Sequence, residues 1–395
     1  MNNYYIKGFN DEWIRPAGWL QMPTITSAEN KCAFLFAVYD DEENCMAISY
    51  SSTTCNYLIN WGDGTTQSVN NNNGTFQKRY NYASISSIVL QDSFGINYKQ
   101  VIITITLNSG TSAPWLVNAL LTRSGKSQIL ESVISHNNGV TFNSRTQTMM
   151  QSLIIIKLIP TAVVSSYFRD FIALRNFEGF ENIDTTNTTT STTVFANMGP
   201  VSQALNFTWN SGAAGMTSIL AGSRIKKFGN MTFDGSGGLS TAVSPCSALE
   251  EIGDINLGNH NTLTQTFQNN VSLRKIGTIT TGGTSSNITA MFQNCYSLQE
   301  IVFNPVPGLA NVTTITPTTF ANCYALRRLV LPGITQPVSI VNACLQRTAL
   351  VELFMSLGTP GVLTNLTIIG NPGIPDLTAA ENLIATSKNW SIIIV

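Results

Sequence analysis

The sequence predicts a mainly β chain with short helical segments, in which an N-terminal β-sandwich precedes a solenoid of short repeats that ends in a helix and a strand. Three observations lead there. β-rich runs separated by turn signals fill the first quarter of the chain, one ten-residue template recurs across its second half, and a helical pattern followed by an apolar strand ends it.

Composition narrows the function classes. The 395 residues are 43% hydrophobic but only 11% charged, so Asn, Thr, Ser and Gly supply the polar surface. A net charge of -1, with no basic cluster beyond Arg224–Lys227, gives no field to collect nucleic acid. No apolar run approaches the roughly 20 residues that span a bilayer, so no membrane insertion is expected. The opening "MNNYYIKGFNDEWIRPAGWL" lacks a basic stretch followed by an apolar one, and does not read as a secretory signal. Seven cysteines, an odd number without any CxxC pair, read as buried free thiols made in a reducing compartment.

Residues 1–23 form an arm rich in Trp and Pro. Trp13, Arg15, Pro16 and Trp19 are its candidate attachment residues, since aromatics on an extended terminus anchor interfaces, although such an arm can equally pack on its own domain. Residues 24–110 carry the β-rich runs "KCAFLFAVY" (31–39), "CMAISY" (45–50), "NYLINW" (56–61) and "QVIITITL" (100–107), the pattern of a sandwich. The third run ends in "NWGDGT", where Gly62 and Gly64 allow positive φ on either side of Asp63 and so predict a tight turn. Asp63 with the acidic segment 40–43 offers oxygens that a hard cation wants, but at no defined ligand spacing; a solvated acidic loop is the expectation, with no metal and no cofactor.

Trp61, Gly62, Asp63 and Gly64, together with Tyr80, Tyr82 and the alternating closing strand, resemble the PKD domain, an immunoglobulin-like module of extracellular and virion proteins. The order W-I-R-P-x-x-W-L-x-x-P, a short β-rich stretch and then WGDGT is similar to the front end of some bacteriophage structural proteins, including fibres and head or tail appendages.

From residue 111 to 374 the organising feature is a repeat, irregular to about 215. "FQNNVSLRKI" (267–276), "FQNCYSLQEI" (292–301) and "FANCYALRRL" (320–329) share one template of aromatic, Cys or Asn, Leu and aliphatic at three-residue steps. Leu174, Ile225, Leu249, Leu273, Leu298, Leu326 and Leu350 hold the leucine position, with Leu153 and Val201 as weaker anchors. Most steps are 24 or 25 residues. Such a period with L-x-x-I anchors predicts a leucine-rich-repeat solenoid, because one unit cannot bury its apolar face alone but stacked units share a continuous core.

These units resemble the BspA-like leucine-rich repeats of bacterial surface proteins over roughly residues 150–370, with Asn270 and Arg347 as departures in the cysteine slot. The resemblance implies that Cys246, Cys295 and Cys323 point into the solenoid as packing thiols. "PDLTAAENLIATSKNW" (375–390), with Asp376 as candidate N-cap, and the following "SIIIV" predict a helix-strand cap over 375–395.

Chemistry is sparse. His136 and His260 both lie in polar, turn-like contexts and read as exposed loop histidines, and no nucleophile elbow, zinc-protease, phosphate-loop or dinucleotide motif is present. The expected function is that of a non-enzymatic bacteriophage virion structural protein, a fibre, appendage or capsid decoration on the virion surface. Other virion proteins would hold its N-terminal part, and its solenoid would meet a host-surface glycan or protein, in several copies. The rival expectation is a secreted or cell-surface bacterial adhesin with the same modules; a glycan-processing enzyme would need paired carboxylates that no spacing suggests.

Overall fold

The computed structural model describes residues 13–40, 44–50, 55–70, 74–109, 115–118, 128–137, 140–142, 150–159, 163–165, 168–183, 185, 190–192, 194–201, 205–210 and 215–395. Among the described residues the fold is mainly β, with two α-helices and a β-solenoid arrangement of short parallel strands. The chain divides into two compact units: one of residues 1–162, 166–187 and 197–203, the other of residues 163–165, 188–196 and 204–395.

The first unit contains β1 (Lys31–Tyr39), β2 (Asn44–Tyr50), β3 (Asn56–Asn60), β4 (Thr66–Asn70), β5 (Gly74–Tyr80), β6 (Leu90–Gln91), β7 (Asn97–Ser109), β8 (Trp115–Asn118), β9 (Ile129–His136), β10 (Val140–Phe142) and β11 (Ser152–Leu158). An eight-stranded sheet runs Asn176–Glu178, β11, β9, β1, β7, β3, β4, with β6 beside β7; a four-stranded sheet runs β10, β8, β2, β5. All four predicted runs are strands at the predicted places. The uninterrupted apolar stretch of β1 follows from its central position, since eight of its nine residues are buried. Ala33, Leu35, Ala37 and Tyr39 pack with Trp19, Met22 and Ile25, while on β1's alternate positions the Phe36 ring lies 5.5 Å from Tyr80 of β5.

The boundary expected at residue 110 is crossed by backbone pairing. β9 is antiparallel to β1, but β11 is parallel to β9, and Asn176–Glu178 is parallel to β11. The sheet thus changes from hairpin pairing to coil stacking, with Gln151 N–H donating to Leu130 O at 2.8 Å and Arg175 N–H to Gln151 O at 2.9 Å. This register corrects one anchor. Leu153 stands opposite Phe177, in the slot three residues after the leucine position, so buried Met150 is the anchor one regular 24-residue step before Leu174.

In the second unit, parallel in-register strands of two to seven residues stack coil on coil. Met231, Ile255, Ile279 and Phe303 stand opposite one another in turn, all at most 1% exposed. Ile225, Leu249, Leu273, Leu298, Leu326 and Leu350 are equally buried, and their partners three residues on are all buried too. Val201, buried and one 24-residue step before Ile225, keeps the regular spacing, and Leu205 pairs with Phe228 beside a register shift between Leu205 and Phe207. The Phe267, Phe292 and Phe320 rings stack at 5.5 and 6.1 Å with interplanar angles of 10° and 9°.

The last anchors depart from the strand pattern. Leu350 and Leu353 lie in α1 (Arg347–Ser356), where Ala349, Leu350, Leu353 and Phe354 form an apolar stripe at helical spacing. Arg347 is therefore exposed at the start of a helix and does not occupy the cysteine slot. Leu345 does, its N–H donating to Asn371 Oδ1 at 3.2 Å as the Cys246 N–H donates to Asn270 Oδ1 at 2.8 Å. α2 (Ala379–Thr386) starts at Thr378, not Asp376: the Thr378 hydroxyl accepts from the Glu381 N–H while the Glu381 carboxylate accepts from the Thr378 N–H. Lys388 Nζ closes α1 by donating to the Phe354, Met355 and Leu357 carbonyls at 2.9–3.1 Å. Strand Trp390–Ile393 then pairs in parallel with Thr364–Thr367. No helix among the described residues is long and apolar enough to cross a membrane.

Candidate interaction surface

The predicted attachment residues are largely engaged inside their own unit. Arg15 Nε and Nη2 donate to Glu131 Oε2 at 2.9 and 2.8 Å, and the guanidinium also meets the Trp19 and Leu20 carbonyls at 3.2 and 2.5 Å. Glu131 is 2% exposed, so this pair stands in place of the water that both charges lose. Trp19 is buried against β1, and the half-buried Trp13 ring lies 6.4 Å from it. Among the described arm residues, Ile14 is a large apolar side chain that stays exposed, at 82%. Residues 1–12 and the acidic residues 41–43 lie outside the described residues, as does most of the Thr-rich stretch 185–193.

The WGDGT segment forms the β3–β4 hairpin turn. Gly62 and Gly64 take φ of +77° and +88°. A Cβ on Gly62 would come within 2.4 Å of Ile102 O, so the position excludes any side chain. Trp61 is buried, and its carbonyl accepts from the Tyr80 hydroxyl at 2.8 Å. Asp63 binds its own turn, accepting from the Thr65 N–H at 3.1 Å and pairing with Lys78 at 2.7 Å. Burial pushes its carboxyl up, but the bonds from Lys78 and Thr65 outweigh that and hold it below the usual range. The four turn residues thus form one structural unit with β5.

The histidines and the ladder cysteines are buried in the fold. Both histidines differ from expectation: His136 lies in β9 and His260 in a coil turn, and each is 0% exposed. His260 Nδ1 donates to Gly237 O at 2.6 Å, because that carbonyl can only accept. Burial lowers both pKa values, that of His136 to about 4 with help from Lys157. The ladder thiols donate to carbonyls of the preceding coil: Cys246 to Ser223 O at 3.3 Å, Cys295 to Phe267 O at 3.1 Å and Cys323 to Phe292 O at 3.2 Å. Burial pushes Cys246 and Cys323 up to about 12 and Cys295 well above its ordinary value. No group of three or more potential metal ligands occurs among the described residues.

What the second unit offers instead is periodic surface. At the two positions after each anchor the sign of charge alternates from coil to coil: Lys226 and Lys227, Glu250 and Glu251, Arg274 and Lys275, Glu300, Arg327 and Arg328, Glu352. Parallel stacking sets equal positions side by side, where like charges would repel. Alternation turns that repulsion into a ladder, with Lys226–Glu250 at 3.3 Å, Lys227–Glu251 at 3.1 Å, Arg274–Glu250 at 2.8 Å and Arg328–Glu352 at 2.7 Å.

A second ladder follows the strands. Asn206, Asn230 and Asp254 each accept, through Oδ1, the N–H of the equivalent residue one coil on, at 2.8–3.0 Å. Each Oδ1 occupies the space where a Cβ on Gly229, Gly253 or Gly277 would lie, which explains the glycine in "FGN", "IGD" and "IGT".

The third feature is neutral. Asn322 Nδ2 donates to Asn294 Oδ1 at 2.7 Å and Asn294 Nδ2 to Asn269 Oδ1 at 2.8 Å, all three residues holding φ of 63–64°. Beside them Tyr296 and Tyr324 stack at 6.0 Å and 6°, 43% and 50% exposed, and the Tyr324 hydroxyl donates to Asn322 Oδ1 at 2.7 Å. Sequence reasoning treated this stretch as scaffold only. The signal for all three surface ladders is nevertheless present, as residue types repeating one period apart at non-apolar positions.

No family model, curated protein or solved structure matches this chain.

Proposed function

We propose that the chain is a non-enzymatic structural protein of a bacteriophage particle. Its first unit, a PKD-like β-sandwich, attaches it to other virion proteins, and its leucine-rich solenoid, closed by the α2 helix and terminal strand, contacts the host surface. The observation that carries this reading is where the second unit spends its polar groups. Cys246, Cys295, Cys323 and His260 are buried in structural bonds, while charges, amides and tyrosines form ladders along the outside. A rigid, periodic face of this kind serves recognition and assembly better than chemistry, which needs titratable groups converging on one pocket.

The arm's engagement with β1 shifts attachment from Trp13, Arg15, Pro16 and Trp19 acting as free anchors to the surface of the first unit as a whole. Competition tests display. Purified chain in excess should bind host cells and slow phage adsorption to them. Unchanged adsorption, with no binding of the chain to cells, would refute host contact.

A further inference from the structure

We infer that the strip of Asn269, Asn294, Asn322, Tyr296 and Tyr324 is a binding site for a neutral polysaccharide chain. The inference rests on the host-contact reading above and names the ligand class. A pyranose ring has C–H groups on its faces and hydroxyls round its rim. It is recognised by an exposed aromatic ring for the face and by fixed amides for the rim.

The strip supplies both. Tyr296 and Tyr324 keep nearly half of their surface in water although they stand in adjacent coils of a close-packed solenoid. Each carboxamide has two N–H donors, and the ladder uses one from Asn294 and one from Asn322. The second N–H of each remains for a ligand, as do the acceptor lone pairs of the Tyr324 hydroxyl. The ladder also fixes which end of each amide is oxygen, so a ligand meets donors already ordered and little side-chain entropy is lost on binding.

Charge decides against other ligand classes. None of these five residues is a Lys, Arg or His, so an anionic polymer or a phosphate group finds no cationic partner in the strip, whereas hydroxyls find donors and acceptors. The strip repeats with the coil, and a linear polymer of like units presents the same groups to successive coils.

The test is calorimetric titration of the full chain with neutral linear hexasaccharides of glucose, mannose and N-acetylglucosamine. It is run beside the double variants Tyr296→Ala/Tyr324→Ala and Tyr296→Phe/Tyr324→Phe, with urea midpoints confirming that each variant folds. At least one sugar should bind, with affinity reduced about tenfold or more in the alanine pair and largely kept in the phenylalanine pair. No binding by any sugar, or equal binding by the alanine pair, overturns the site. So does an alanine pair that changes the sedimenting mass instead of sugar affinity, which would make the strip a contact between copies. Absence of sugar binding in a chain that still binds host cells sinks this inference alone. Sugar binding in a chain that neither binds cells nor slows adsorption sinks the host-contact reading alone.

Discussion

Asn270 is where the repeat and the structure make opposite predictions. By its template the position asks for cysteine, as at Cys246, Cys295 and Cys323. In the fold the fully buried Asn270 carboxamide does two things: Oδ1 accepts the Cys246 N–H at 2.8 Å, and Nδ2 donates to Phe267 O at 3.0 Å. Asn270→Ala strips both partners. A buried N–H left without an acceptor costs about 1–3 kcal/mol, and the vacated volume adds about 1 kcal/mol, giving about 3 kcal/mol in all. Asn270→Cys refills most of the volume and can donate to a carbonyl, but a thiol is a weak acceptor, so the Cys246 N–H stays unpaid and about 1–2 kcal/mol is lost. Urea unfolding followed by far-ultraviolet circular dichroism ranks the three proteins, with comparison by midpoint because stacked repeats need not unfold in one step. A cysteine variant as stable as the natural protein would refute this reasoning and favour the template over the hydrogen bond.

Four further outcomes are expected. Native protein should titrate about one thiol with a bulky disulfide reagent and all seven once denatured, since Cys344 is exposed and the other six are buried. Stability should fall as pH drops below 6.5. The unfolded His136 takes a proton there, whereas the folded one resists down to about 4, so at pH 5 the loss is about 2 kcal/mol, and His136→Gln should flatten the urea midpoint against pH over that window. Gly253→Ala should cost about 1–3 kcal/mol in the same unfolding assay, because its Cβ would lie 2.5 Å from Asn230 Oδ1 and 2.8 Å from backbone. Arg328→Gln should cost no more than about 1 kcal/mol by urea midpoint despite its two carboxylate partners, because its side chain is 43% exposed and solvent screens the pairs.

Apolar periodicity made the interior legible and little else. The leucine positions from Ile225 to Leu326 and their partners could be read because a stacked coil repeats its buried side chains with its own period. Leu153 was misplaced by three residues because anchor and partner are both aliphatic, and only the pairing with Phe177 separates them. β4 and β5 escaped notice because "TQSVN" and "GTFQKRY" hold few apolar residues, their pairing being supplied by β3 and β2. α1 was hidden because Leu350 and Leu353 satisfy a strand template and a helical stripe alike.

The surface was harder for a physical reason. Exposed positions carry no burial signal, so the Lys–Glu alternation and the Asn and Tyr ladders emerge only when coils are laid side by side in register. The histidines show the converse error. "SHNNG" and "GNHNT" look like loops, but His136 lies in a buried strand and His260 turns inward to donate to Gly237 O of the preceding coil.

The central claim is that this chain is part of a virus particle. Peptide mass spectrometry of density-purified phage particles tests it most directly. The account predicts peptides from both units in particles of the phage that encodes the chain, at an abundance matching several copies. Particles of full infectivity that contain none of its peptides would contradict it.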